Sequence, residues 1–260
     1  MNKPVIGILD IETSPYEAYV WGLWDQNIGV EQIKTERTVI SYAYKELGSS
    51  EVVYKDTGGR GAAKVRDDKV LLAGLAAILD RADIIIAQNG KKFDLRVING
   101  RMAMHHMKPY SPPRIIDTLS AAKKYFAFGS NRLAWLSKHL TDTPKSEHKE
   151  FPGMQLWLEC LKDNPAAWRV LKKYNIRDII ATEKVYLEFR PWLGNHPNMG
   201  VYLECAACVA CGSSRLQARG QSVTQSAKYP RFQCQDCGKW TRGTGMQIEA
   251  DVRKTLMRPL

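Results

Sequence analysis

The chain predicts a mixed α/β layer with a small cysteine-built module appended, and three observations carry that reading. Short β-branched and apolar runs alternate with longer segments of helical periodicity up to about residue 190. A stretch punctuated by Pro and Gly, "RPWLGNHPNMG", then interrupts the chain at residues 190–200. Beyond it lie five of the six cysteines, all after residue 204.

In chain order, the first strand is built from Val5, Ile6, Ile8, Leu9 and Ile11 and is stopped by Thr13, Ser14 and Pro15. It also carries Asp10 and Glu12. Strand side chains alternate faces, so these acids point the same way, about 7 Å apart along the chain. Two carboxylates crowded on one face repel, and the arrangement is costly unless a cation sits between them. A polar and aromatic excursion over 14–37 follows, in which Trp21 and Trp24 either pack on the sheet edge or grip a nucleic-acid strand. "TVISYAYKE" and "SEVVYK" read as two further strands, and the basic, Gly-rich loop "DTGGRGAAKVRDD" leads into a helix. That helix is marked by Leu71, Leu72, Leu75, Ile78 and Leu79 at helical spacing. The buried strand "DIIIAQN", a second helix from about Phe93, the short strand "RIID" and a mainly helical stretch to about 190 complete the layer. The strands number five, giving a mixed five-stranded sheet flanked by helices.

Charged residues at 25% and hydrophobic residues at 44% describe a folded globular chain and exclude a disordered one. No apolar run approaches the roughly 20 residues of a membrane span. Met1-Asn2-Lys3-Pro4 runs into a strand with no secretory apolar region, so a cytoplasmic setting is expected, the host cytoplasm if the gene is phage-borne. The net charge is +11, and after residue 204 nine Lys and Arg face three acids. That bias favours a polyanionic partner.

Three acidic motifs recur where ligand sites of open α/β sheets lie. "AQNGKKFDLRV" ends a strand with Asn89 and opens a helix near Asp94, which faces the region of Asp10 and Glu12 if the two strands are parallel. In "VLKKYNIRDIIATEKVYLEF", Tyr174 and Asp178 are four residues apart and stack on one helix face. Taken singly, each acid has a bland reading as a surface or helix-end residue. Taken together, Asp-x-Glu, Asn-x-x-x-Phe-Asp and Tyr-x-x-x-Asp resemble the three motifs of the DEDD 3′–5′ exonucleases of the ribonuclease-H-like superfamily, in the tyrosine branch (DEDDy). The resemblance covers roughly residues 4–190 and extends in particular to stand-alone predicted exonucleases of phages and bacteria. The histidine branch would place His at position 173, where this chain has Lys173.

This resemblance implies a ribonuclease-H-like fold and phosphodiester hydrolysis with two Mg²⁺ or Mn²⁺ ions about 4 Å apart, which hard oxygen ligands select. It implies that Asp10 bridges both ions, that Glu12 and Asp178 complete the site that activates water, and that Asp94 supports the second ion mostly through water. Tyr174 would orient the attacking water, and Thr13, Asn89 and Phe93 would contact substrate. Asp117 is expected to cap a helix instead. His105 and His106 are read as surface residues.

"CVACG" and "CQDCG" are two Cys-x-x-Cys-Gly knuckles. Cys208, Cys211, Cys234 and Cys237 therefore make a tetrahedral Zn²⁺ set, the signature of a zinc ribbon, with Cys205 spare because only this choice gives each knuckle its Gly. Cys160 reads as a core residue. Lys239, Trp240 and Arg242 in the ribbon combine cations with a stackable ring, which suits single-stranded nucleic acid. The expected organisation is an exonuclease domain over 1–193, a linker over 194–203, the ribbon over 204–248 and a basic tail over 249–260. The leading expectation is a metal-dependent exonuclease acting on nucleic acid, with single-stranded DNA ahead of RNA. An endonuclease or structure-specific nuclease on the same site and a non-enzymatic nucleic-acid-binding adaptor are the alternatives, and no membrane or particular protein partner is indicated.

Overall fold

The computed structural model describes residues 3–143 and 148–257. The last three residues of the basic tail, Arg258 among them, lie outside that range. The chain folds into two compact units, Val5–Tyr186 and Leu187–Leu260 with Met1–Pro4.

The first unit opens with β1 (Ile6–Thr13), a small arm formed by β2 (Glu17–Ala18) and β3 (Ile33–Thr35), and then β4 (Val39–Glu46) and β5 (Val53–Asp56). After α1 (Lys69–Arg81) come β6 (Ile84–Ala87), α2 (Asp94–Met104), β7 (Arg114–Asp117) and α3 (Thr118–Tyr125). Helices α4 (Leu133–Leu140), α5 (Gln155–Leu161) and α6 (Pro165–Phe189) follow. The main sheet has the order β5-β4-β1-β6-β7, with β4 antiparallel and β6 parallel to β1. This is the expected mixed five-stranded sheet. The acid-bearing β1 sits at its centre, and the parallel β1–β6 pair sends the ends of both strands to the same edge.

The two faces bury different sets. Leu9 and Ile11 pack with Tyr42, Leu72, Leu75 and Ile98, so α1 and α2 cover one face. Ile40 packs with Leu156, Cys160, Trp168 and Leu171, so α5 and α6 cover the other, and Cys160 is the core residue its setting suggested. Alternation along β1 then obliges Asp10 and Glu12 to face α5 and α6. Helix α6 is pinned along β4 at two points. Ser41 donates to Asn175 Oδ1 at 3.3 Å, and Lys45 pairs with Glu183 at 2.6 Å, both buried. Four strand residues span about 13.5 Å and eight helical residues about 12 Å, so the pins agree on one axial register.

The aromatic arm is not packed on the sheet edge. Trp21 is 99% exposed and Trp24 84%. His105 is also not a simple surface residue, because its Nε2 lies 2.7 Å from Asp68 Oδ1 beside the Arg101–Asp68 ion pair. Burial alone would raise the Asp68 pKa. Bonds from Arg101, the Val39 amide and His105 overcome that and hold it below the usual carboxylate range.

The second unit contains α7 (Met199–Leu203), inside the segment read as a linker, and α8 (Ala250–Thr255) in the basic tail. Between them β8 (Leu216–Val223), β9 (Lys228–Cys234) and β10 (Trp240–Arg242) form an antiparallel sheet in the order β10-β9-β8. No helix among the described residues is long and apolar enough to cross a membrane.

Candidate active site

Asp10 and Glu12 come from β1 and Asp178 from α6, and their carboxylates converge so that one oxygen of each lies within 4.8 Å of the others. Asp178 is buried and the other two are half-buried. Hydrogen bonds orient the pair on β1. Asn175, fully buried one turn before Asp178, donates from Nδ2 to Asp10 Oδ2 at 2.5 Å. Trp157, on α5, donates from Nε1 to Glu12 Oε2 at 3.0 Å. Each such bond to a charged acceptor is worth about 1.5–3 kcal/mol. Tyr174 stands edge-on to His148 and Trp157, at ring-centroid distances of 5.2 and 6.1 Å. His148 and Trp157 meet edge-on at 5.3 Å, so an aromatic wall backs the Tyr174 side of the acids.

Asp94 is not part of this three-acid group. It begins α2, is buried, and its Oδ1 accepts the Ile11 amide at 3.1 Å. Burial pushes its pKa up to about 7; the Ile11 amide opposes the rise and the charge of Asp117 adds to it. Asp117 caps α3 through the Ser120 amide at 3.0 Å and also accepts the amides of Asn89 and Lys91, both at 3.2 Å. The turn that presents Phe93 and Asp94 is thus tied to β7. Asn89 sits in that turn with left-handed backbone, φ 65°.

A cleft of about 400 Å³ opens beside the acids, lined by Glu12, Thr13, Pro15, Phe93, Met154 and Trp157, with Arg37 and Ser14 in its wall. Thr13 and Phe93 thus line it, and Asn89 does not. Its floor is held by Ser14, whose amide bonds Thr38 O at 2.9 Å and whose hydroxyl accepts Arg66 at 2.8 Å.

In the second unit the sulfurs of Cys208, Cys211, Cys234 and Cys237 lie within 4.8 Å of one another, and Cys205 is exposed and outside the group. Cys208 and Cys237 are 3.6 Å apart, as are Cys211 and Cys234. Four thiolates about 2.3 Å from a tetrahedral Zn²⁺ are about 3.8 Å apart, so this group fits zinc. Gly212 and Gly238 close the knuckles at φ 76° and 77°, each returning its amide to the carbonyl of the first cysteine. On one sheet face Arg231 lies 5.0 Å from the Trp240 ring and Arg242 lies 4.6 Å from the Tyr229 ring. Lys239 Nζ is bound to Leu193 O at 2.8 Å.

The donor set of the first unit fits a hard divalent cation: three clustered carboxylates supply only oxygen, and two of them are already aimed by neutral donors. Sequence reasoning missed those donors. Asn175 was discoverable, because it is three residues before Asp178 and so shares its helix face. Trp157 carried no local signal, as it reaches Glu12 from 145 residues away.

A family model described as RNase_H superfamily matches residues 8–189. No curated protein matches the chain. Among solved structures, the family B DNA polymerase of the hyperthermophilic archaeon Pyrobaculum calidifontis is similar in fold, with a TM-score of 0.51 and 13% identity. The match covers 88% of this chain and 32% of the polymerase, so the chain spans about a third of that protein's length. The family match runs from β1 to the end of α6 and encloses Asp10, Glu12, Asp94, Tyr174 and Asp178; the chain belongs to the RNase_H superfamily.

Proposed function

We propose that this chain is a metal-dependent 3′–5′ exonuclease of the tyrosine branch, acting on single-stranded nucleic acid, DNA ahead of RNA. The observation that carries the reading is the convergence of Asp10, Glu12 and Asp178 from two distant segments, with Tyr174 one helical turn before Asp178. Asp10, Glu12 and Asp178 would hold Mg²⁺ or Mn²⁺, with Asp94 at the margin. Cations bound there supply positive charge against the scissile phosphate and acidify water. Asn175 and Trp157 hold the Asp10 and Glu12 carboxylates in fixed orientations, which spares their reorganisation during reaction. Tyr174 positions the attacking water through its hydroxyl, and with a free pKa near 10 it acts as a hydrogen-bonding partner more readily than as a bulk base. The terminal nucleotide enters the cleft between Phe93 and Trp157, whose rings offer stacking surfaces, with Thr13 at its floor.

The ribbon supports the same reading. Two guanidinium–ring pairs on one face combine phosphate-binding charge with flat apolar surface, so Trp240 and Arg242 would grip the strand while Zn²⁺ on the four cysteines holds the face in shape. End-labelled oligonucleotides incubated with Mn²⁺ test the reading. A 3′ label should leave first as a mononucleotide, and a 5′ label should give a descending ladder. Early release of a 5′ label, or cleavage of a circular single strand, would replace the exonuclease reading with a 5′-directed or endonucleolytic one. Tight binding without hydrolysis in any divalent metal would make the chain an adaptor.

A further inference from the structure

A second cleft, of about 290 Å³, adjoins the first, with Tyr16, Arg37, Lys92, Phe93, Arg96 and Gly100 in its wall. Arg37 and Phe93 line both clefts, so they form the shared partition. The Arg37 guanidinium lies over the Tyr16 ring at 4.8 Å and over the Phe93 ring at 5.3 Å. Its buried Nε has no hydrogen-bond partner among the described residues. Among those residues no carboxylate lies within ion-pair distance of Arg37, Lys92 or Arg96. Glu36 is in the wall as well and sets one negative charge against the three cations Arg37, Lys92 and Arg96, since Arg101 there is already paired with Asp68. A partly desolvated guanidinium without an ion-pair partner is costly, and the two adjoining rings leave its donor edge for an anion. A Cβ at Gly100 would meet nothing within 4 Å, so the groove is open along α2.

We propose that this second cleft is a phosphate-backbone subsite of the same polynucleotide. Arg37 binds the phosphodiester one nucleotide beyond the scissile one, and Lys92 and Arg96 bind the next one along α2. The assignment rests on the nuclease reading, which it extends by giving the strand an exit path and a minimum length for efficient capture. A dinucleotide offers only its scissile phosphate, whereas a trinucleotide or longer strand reaches Arg37 and then Lys92 and Arg96.

The test compares kcat/KM for a dinucleotide and a hexanucleotide in the full-length wild type, Arg37→Ala and Gly100→Glu. The glutamate enters open space on a helix and places a negative charge in the groove. In both variants the hexanucleotide-to-dinucleotide ratio should fall at least tenfold. In an Asp178→Asn background, anisotropy of a 5′-labelled hexanucleotide should show the salt slope reduced by about 0.7 for each phosphate that is no longer neutralised. Thermal midpoints verify that the variants are folded. Folded variants that keep both the wild-type ratio and the wild-type slope would overturn the subsite while leaving the nuclease intact. A wild type that hydrolyses neither substrate would refute the nuclease reading and the subsite with it.

Discussion

Replacing Asn175 with Leu tests whether the acids are oriented by the protein before any cation arrives. The substitution keeps most of the volume at a fully buried position and removes the side-chain hydrogen bonds to Asp10 and from Ser41. The 2.5 Å bond to Asp10 is made to a charged acceptor, and its loss costs about 1.5–3 kcal/mol. The weaker 3.3 Å bond from Ser41 leaves a buried hydroxyl without its acceptor, for about 1 kcal/mol more. Together these predict a lowering of the chelator-treated midpoint by roughly 5–15 °C, at about 2–4 °C per kcal/mol for a unit of this size. Releasing Asp10 should also raise the half-saturating Mn²⁺ concentration about 10- to 100-fold, as for other groups that orient a metal ligand. Ser41→Ala is the control: it removes the 3.3 Å bond and leaves Asn175 on Asp10, so its Mn²⁺ requirement should move by less than about threefold. Metal dependence of hydrolysis at saturating substrate reads the result. A folded Asn175→Leu protein with the wild-type Mn²⁺ requirement would refute the reasoning.

Asp178→Ala and Asp10→Ala should each abolish hydrolysis, and in Asp10→Ala the relief of repulsion among three crowded carboxylates should offset part of the cost of leaving buried Asn175 without its acceptor; turnover above about a hundredth of wild type in both would contradict this. Trp157→Phe keeps the ring packed against His148 and Tyr174 but removes the donor to Glu12, so kcat should fall about 10-fold with the midpoint nearly unchanged, as measured by steady-state kinetics beside thermal scans. Cys237→Ala should eliminate bound zinc by elemental analysis and unfold the β8–β10 sheet by circular dichroism, while the first unit keeps its hydrolysis of a dinucleotide. Asp68 has a folded pKa held below its unfolded value of about 3.9, so its contribution is present above that pH and is lost as pH falls through the lowered folded value. Arg101→Met should therefore cost more stability at pH 7 than at about pH 2.5, and equal losses at the two would show the ion pair to be inert.

The strands and helices of the first unit were legible from strong patterns: the leucines of α1 recur at helical spacing, and the continuous apolar run of β6 marks a short strand buried on both faces. β8 lies between the knuckles, where the segment suits short strands, but its sequence, "LQARGQSV", is largely exposed and shows no apolar alternation, so its limits and its pairing with β9 were not legible. The acids at 10, 12 and 178 were legible as types and spacings, and the two knuckles likewise. The exposed state of Trp21 and Trp24 was not, because aromatic residues carry no sign of whether a partner surface exists within the chain. Asp117 shows a further limit. Its capping role followed from its position before a helix, but its second grip, on the turn that presents Phe93 and Asp94, depends on β6 and β7 being parallel neighbours.

The two pins that set α6 along β4 also bear on the order in which the molecule matures. Ser41 and Lys45 must wait for Asn175 and Glu183, partners more than 130 residues downstream, before β1 can meet its third acid. Closing so long a loop is slow relative to forming hairpins and helices. During synthesis, the central strand and its neighbours would be assembled well before the carboxylate cluster is complete. A chain grown no further than α5 therefore carries its sheet with only two of the three clustered carboxylates, and the group that could hold a cation is the last part of this unit to close.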